Sequence, residues 1–269
     1  MAETHWWTPG ESHPDAIWLT GVRAALEWWE AQEASYGVTS SITGLGAIAA
    51  AEQRISELHA GRNTLLAPSA TYALITALRV IGVGRGDEVM IPQGDWPATE
   101  AVVRLLGAMP ISVPIDPETR TIIPEGCAFW SNNSTKAIVA RHHTDNPAQV
   151  HEIRLAAPGI PVIEDCATAL GTLLRGSPVG AIGDFAVLSF GPGKSLDAGE
   201  GGALLVNSDE AWERALQLSA HPARQAMAGV EKDLVQPSQR PHPLMAALVA
   251  YGLRDGLPLP AARRAPVPT

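Results

Sequence analysis

The chain has 269 residues, 46% of them hydrophobic, which is enough for one sizeable core and long for a single average domain. A formal charge of −9 with no basic stripe excludes DNA and RNA as partners. Two cysteines, Cys127 and Cys166, with no CxxC or Cys/His cluster, exclude a disulfide framework and a zinc site, and no apolar run reaches membrane length.

Along the chain, apolar residues at Ile17, Leu19, Val22, Ala25, Leu26 and Trp29 predict an amphipathic helix over 14–35, within an N-terminal helical segment 1–43. A second helix is predicted over 47–59, stopped near Gly61. Seven short apolar runs then read as buried strands: 64–67, 89–92, 111–115, 137–140, 162–164, 185–190 and 203–206. Helical stretches at 71–80, 98–106, 148–156 and 210–218 lie between several of them. Such alternation predicts an α/β fold, a mostly parallel seven-stranded sheet with helices on both faces. Ligands of such sheets bind beyond the carboxyl ends of the strands. Residues 251–269 are rich in proline and alanine and are expected to form a loosely ordered tail. Residues 1–10 lack a basic start followed by an apolar run, so a reducing, cytoplasmic location is expected.

Of the 19 basic residues only Lys136, Lys194 and Lys232 are lysines. Arginine stays protonated, whereas a desolvated lysine can attack a carbonyl. Lys194 lies in SFGPGKSLDAGEGG, where a buried strand ends at Ser189 and glycines flank the lysine. Glycine lets backbone approach a ligand, and a strand-end serine can donate to a phosphate; a surface turn with a solvated lysine is the plain alternative. In PVIEDCATALG, Glu164 and Asp165 close an apolar strand. An acid there needs a positive partner, which a pyridinium nitrogen or the N-terminus of the next helix would supply. In LLAPSATYAL, the amides of Ala70 and Thr71 open a helix and form an anion site, unless Ser69 merely caps it. Trp96 follows a strand and either lies flat on a planar ring or fills the core. Each signal alone is weak. Their order, with phosphate turn, aromatic plate, strand-end acid and lysine, is that of a fold type I pyridoxal phosphate enzyme.

From about Gly44 to Ala250 the chain resembles the DegT/DnrJ/StrS family of aminotransferases, which mostly act on nucleotide-linked keto-sugars and aminocyclitols. The segments GVGRGDEVMIP, GAMPISVPIDPET, PVIEDCATALGT and VGAIGDFAVLSFGPGKSLDAGEGGALLVNSDE carry the likeness. The large domain is expected over 44–250, the extent of that likeness. The resemblance implies pyridoxal 5'-phosphate held by Lys194 as a Schiff base, Asp165 against the pyridine nitrogen and Trp96 on the ring. It places Ala70, Thr71 and Ser189 at the phosphate and Thr168 where the family bonds the phenolic oxygen. It also implies a homodimer in which SQRPHPLMAAL, residues 238–248, reaches the partner's site, with Ser238 at the contact position; no metal is implied. His142 matches a family histidine near the site.

Three residues depart from the family pattern: Thr168 for histidine or glutamine, Ala70 for glycine and Ser238 for asparagine. The chain also ends about where the family's small C-terminal domain begins. On that ground either a partner protein is expected to close the site, or a large carrier-bound substrate brings its own cover. The reaction implied is transamination of a small-molecule or carrier-bound substrate in secondary metabolism. A lyase, dehydratase or isomerase, and a shortened regulatory or scaffolding subunit, are the alternatives; retention of Lys194, Asp165 and Ser189 argues against the last.

Overall fold

A computed structural model describes residues 14–33, 40–231 and 239–256. Its elements are, in order, α1 Pro14–Glu33, α2 Ser40–Thr43, α3 Ala47–Leu58, β1 Asn63–Ala67, α4 Ala70–Ile81, β2 Glu88–Pro92, α5 Pro97–Leu105 and β3 Met109–Val113. There follow α6 Pro124–Trp130, β4 Thr135–Arg141, α7 Val150–Ala156, β5 Val162–Asp165, the short hairpin β6 Leu173–Leu174 and β7 Ser177–Pro178, then β8 Phe185–Ser189. The last are β9 Gly202–Val206, α8 Asp209–Ser219, α9 Pro222–Met227 and α10 Pro243–Gly252.

Seven strands form one sheet in the order β1-β9-β8-β5-β4-β2-β3. The ladders from β8 through β5, β4 and β2 to β3 are parallel, and only β9 runs antiparallel to its neighbours. Strand side chains alternate between faces, and here both faces are covered. Leu65, Val89, Val139, Ile163, Val187 and Leu204 pack under α4, α5 and α8. Leu66, Met90, Ile138, Val162, Leu188 and Leu205 pack under α3, α6, α7 and α10. With no wet face, the strands read as unbroken apolar runs.

The edge strand departs from expectation. It spans Met109–Val113 rather than 111–115 and is only partly buried, so the run of apolar residues does not mark its ends. Pro110 is tolerated because β3 pairs on one side only. Helix α10 falls on the latter part of the stretch expected to act as a loop toward a partner. Residues 243–248 are instead helical and pack on α3 and α1, and Leu253 beyond them is fully buried. Near this end Tyr251 meets the Trp28 ring, at 6.5 Å between centroids, and Arg254 stacks on Tyr251 at 3.9 Å. Among the described residues no helix is long and apolar enough to cross a membrane.

Candidate functional site

The carboxyl ends of the parallel strands meet at one edge of the sheet. Ala67 and Ser189 both pair with Gly202 across β9, Asp165 lies opposite Val187 on β8, and Arg141 lies opposite Asp165 on β4. The acids that end β5 part there. Asp165 shares the face of Ile163, under α4 and α5, whereas Glu164 points to the other side.

Asp165 is 8% exposed, and its Oδ1 accepts the Ala167 amide at 2.9 Å. No salt bridge reaches it among the described residues. Burial pushes its carboxyl above the usual range; the Ala167 amide and the Arg141 charge oppose this, and the Asp95 charge adds to it. A buried acid with no bonded cation is what a ligand's pyridinium would complete.

The turn expected to meet a phosphate begins where β1 ends. Ser69 accepts the Tyr72 amide at 3.3 Å as N-cap of α4, which leaves the amides of Ala70 and Thr71 at the positive end of a 12-residue helix. The helix start lies close on the sheet: a Cβ on Gly202 would come within 2.4 Å of the Ala70 nitrogen. Ser189 is half-buried at the end of β8.

Beyond it the chain loops back to β9, closed by the Phe190 amide to the Gly201 carbonyl at 2.9 Å and the Ala198 amide to the Phe190 carbonyl at 2.8 Å. Asp197 accepts the amides of Gly193 and Gly199, at 3.0 and 2.8 Å. Lys194 sits in this braced turn, half-buried, its own amide 3.3 Å from the Gly191 carbonyl. Lys194, Ser189, Asp165 and the α4 N-terminus thus belong to one edge.

Trp96 is 61% exposed and belongs to neither core, so it is not a core-filling tryptophan. Thr168 donates its hydroxyl to the His142 carbonyl at 3.1 Å, so only its lone pairs are free for a ligand. Ser238 lies outside the described residues. Its neighbour Gln239 accepts from the Thr76 hydroxyl at 2.9 Å, with Nε2 buried and unpartnered. A cavity of about 300 Å³ opens beside the Lys194 loop, between Pro68, Gly199, Glu200, Arg240 and Met245, but Asp165 and Ser189 do not line it.

Glu164 plays a role that its sequence did not disclose. Its carboxylate accepts the amides of Gly180, Ile182 and Gly183 at 2.9, 2.8 and 2.6 Å and lies 3.0 Å from His142 Nε2. The Ala148 amide donates to His142 Nδ1 at 3.0 Å, which places the ring proton on Nε2, facing Glu164. Arg62 donates to the carbonyls of Gly180 and Gly183, so this turn is held from both sides. Burial acts to raise the Glu164 carboxyl, but His142 and these amides outweigh it and hold it below the usual range. Cys166 completes a possible metal-ligand trio with His142 and Glu164. The imidazole and carboxylate are already spent on protein partners, and burial keeps the thiol protonated, its pKa well above the usual thiol value. The cluster is therefore structural.

Sequence reasoning also missed Asp95 and Arg141, whose ion pair measures 3.2 Å. Asp95 stands just before a helix and Arg141 at a strand end, and their separation of 46 positions in the chain hid the pairing.

Comparison with known proteins gives the same fold. The DegT/DnrJ/EryC1/StrS aminotransferase family matches residues 38–254. L-glutamine:2-deoxy-scyllo-inosose aminotransferase of Streptoalloteichus tenebrarius is 34% identical over 221 residues, 79% of this chain and 51% of that protein. The chain therefore spans about half the length of this curated relative. Among solved structures, 3-amino-5-hydroxybenzoic acid synthase aligns with a TM-score of 0.75 at 25% identity, over 93% of this chain and 64% of its own. The PMP form of Spr1654 of Streptococcus pneumoniae aligns at 0.72 and 25%, over 88% and 62%.

Proposed function

The chain belongs to the DegT/DnrJ/EryC1/StrS aminotransferase family, and from that premise we propose that it is a pyridoxal 5'-phosphate-dependent aminotransferase of secondary metabolism. Its substrate is a small-molecule or carrier-bound ketone, with an amine as donor. The observation that carries this reading is the convergence of Lys194, Asp165, Ser189 and the α4 N-terminus at one sheet edge, with Asp165 buried and lacking a bonded cation.

The protein residues fit the cofactor. Amides 70 and 71 and the Ser189 hydroxyl are donors for a phosphate. Asp165 is the counter-ion for a protonated ring nitrogen, and the exposed Trp96 indole is the face on which a planar ring lies. Lys194 Nζ is the amine that would hold the cofactor's aldehyde and, as a free amine, would move a proton at the substrate's α-carbon. The bound group supplies the electron sink that stabilises charge developing at that carbon. Thr168 accepts a donor near the phenolic oxygen. A second copy of the chain, through the stretch that contains Ser238, contributes to the site.

Reconstituted protein is expected to show a visible absorbance band that borohydride bleaches, and Lys194→Ala loses it. Glutamine or another amino donor given without acceptor should convert that band to the pyridoxamine form. A wild-type protein that stays colourless with excess cofactor sinks this reading, and turnover with no pyridoxamine form reassigns the enzyme to elimination or isomerisation.

A further inference from the structure

Asp95 and Arg141 stand beside the acid assigned to the ring nitrogen. Arg141 is the register partner of Asp165 on the adjacent parallel strand, so both side chains leave the same face of the sheet. The Arg141 guanidinium is engaged by Asp95, Nη1 to Oδ1 at 3.2 Å, and the same oxygen accepts the Trp96 amide at 2.7 Å. The Asp95 side chain is 2% exposed, and its second oxygen is buried with no hydrogen-bond partner. Half of that carboxylate is thus unanswered inside the protein.

The charges around Asp165 can be followed element by element. From the loop after β2 comes Asp95, from β4 comes Arg141, and from the turn after β8 comes Lys194, the amine given to the cofactor. His142 and Cys166 lie on the far side of the sheet, where His142 is bonded to Glu164 and the Ala148 amide and adds a smaller pull on Asp165 in the same direction as Arg141. Asp95 thus engages the guanidinium that stands next to Asp165, so a second carboxylate lies beside that acid in a poorly solvated place, where Coulomb effects are stronger than in water. The directions at Asp165 agree with this geometry: the Asp95 charge raises its carboxyl and the Arg141 charge lowers it.

We propose that Asp95 and Arg141 are positioning residues for Asp165. Arg141 holds Asp95 in place beside Asp165, and the negative charge of Asp95 helps to hold the ring nitrogen of the bound cofactor protonated. This rests on the cofactor assignment above and adds residues to it. It gives the buried, unpartnered oxygen of Asp95 a use: its charge, not a bond, acts on the ring.

Pyridoxal phosphate labelled with ¹⁵N in the ring reports the protonation directly through its nitrogen resonance. In wild type the nitrogen should remain protonated through neutral pH. Asp95→Asn keeps the shape and can still accept the Trp96 amide but removes one charge, so the titration midpoint should fall by about one pH unit, a tenfold loss of proton affinity. Arg141→Met removes the opposing charge and should leave the midpoint unchanged or higher. Asp165→Asn should abolish the protonation.

An Asp95→Asn midpoint equal to wild type overturns the proposal. So does a fall in both Asp95→Asn and Arg141→Met, because the pair would then act by shape. Should Asp95→Asn fail to fold, Arg141→Met alone decides by the same criterion. If Asp165→Asn neutralises the nitrogen while Asp95→Asn does not, the cofactor reading stands and this inference falls. If wild type takes up no cofactor, both fall.

Discussion

Glu164 and Asp165 are adjacent in the chain and opposite in environment. Glu164 accepts three amides and faces His142, so Glu164→Ala orphans the buried amides of Gly180 and Gly183, the half-buried amide of Ile182 and the buried His142 ring, at about 1–3 kcal/mol for each buried donor. Urea unfolding should show a loss of at least about 3 kcal/mol, with cofactor affinity little changed in the protein that still folds; a loss under about 1 kcal/mol would contradict the clamp. Asp165 makes the opposite prediction. Because burial, with Asp95, raises its folded pKa, the cofactor-free protein binds this proton more tightly than the unfolded chain does. Below the ordinary value of 3.8 both states are protonated and nothing is lost. As pH rises from there through the folded pKa, stability falls. Asp165→Asn should therefore gain thermal stability over wild type as pH increases, in the absence of cofactor. A difference that stays constant from pH 4 to pH 8 refutes it. Lys194 was legible because arginine had taken nearly every other basic position. Asp165 was legible as a strand-end acid and the resemblance chose it over Glu164, whereas the opposite face and the amide clamp of Glu164 follow from sheet parity and from a turn some 16 to 19 positions away.

At the level of elements, the helix start α4 carries the phosphate reading. Ser69 caps it, so Ser69→Ala should cost about 1 kcal/mol in stability and weaken the cofactor's phosphate contacts. Gly202→Ala is sharper. Its Cβ would lie 2.4 Å from backbone atoms of Ser69 and Ala70 and 2.8 Å from the Leu188 carbonyl, none of which can give way as a flexible side chain would. Overpacking of this kind costs about 1–3 kcal/mol, and here it pushes the anion turn off the sheet. Phosphate competition against cofactor binding should show the turn's loss, and an unchanged affinity would mean that the turn is not the anchor. The strands were readable because both faces are apolar. Helix α10 was not, because PLMAALVAYG is buried nearly all round and has no polar face to give it a period. The antiparallel β9 has an apolar run like any other strand; its direction follows from the connection, a braced glycine loop with no helix to carry the chain back for a parallel crossover.

For the whole molecule, the donors proposed for the phosphate are two helix amides and one serine hydroxyl, in a protein of net charge −9. A dianionic phosphate would gain from a further donor, and the family resemblance puts one at Ser238, contributed by a second copy. If that copy completes the site, dimerisation and cofactor binding are linked, and each must strengthen the other by the same factor. Titrations of pyridoxal phosphate at protein concentrations below and above the dimerisation midpoint should then give apparent Kd values that differ by about tenfold, equivalent to about 1.4 kcal/mol for one added contact. Ser238→Asn, which restores the family's longer amide, should tighten only the dimeric form. Sedimentation across the same range gives the midpoint independently. Equal affinity on both sides of it would mean that one copy holds the phosphate unaided, and the helix turn with Ser189 would then have to carry the whole anion.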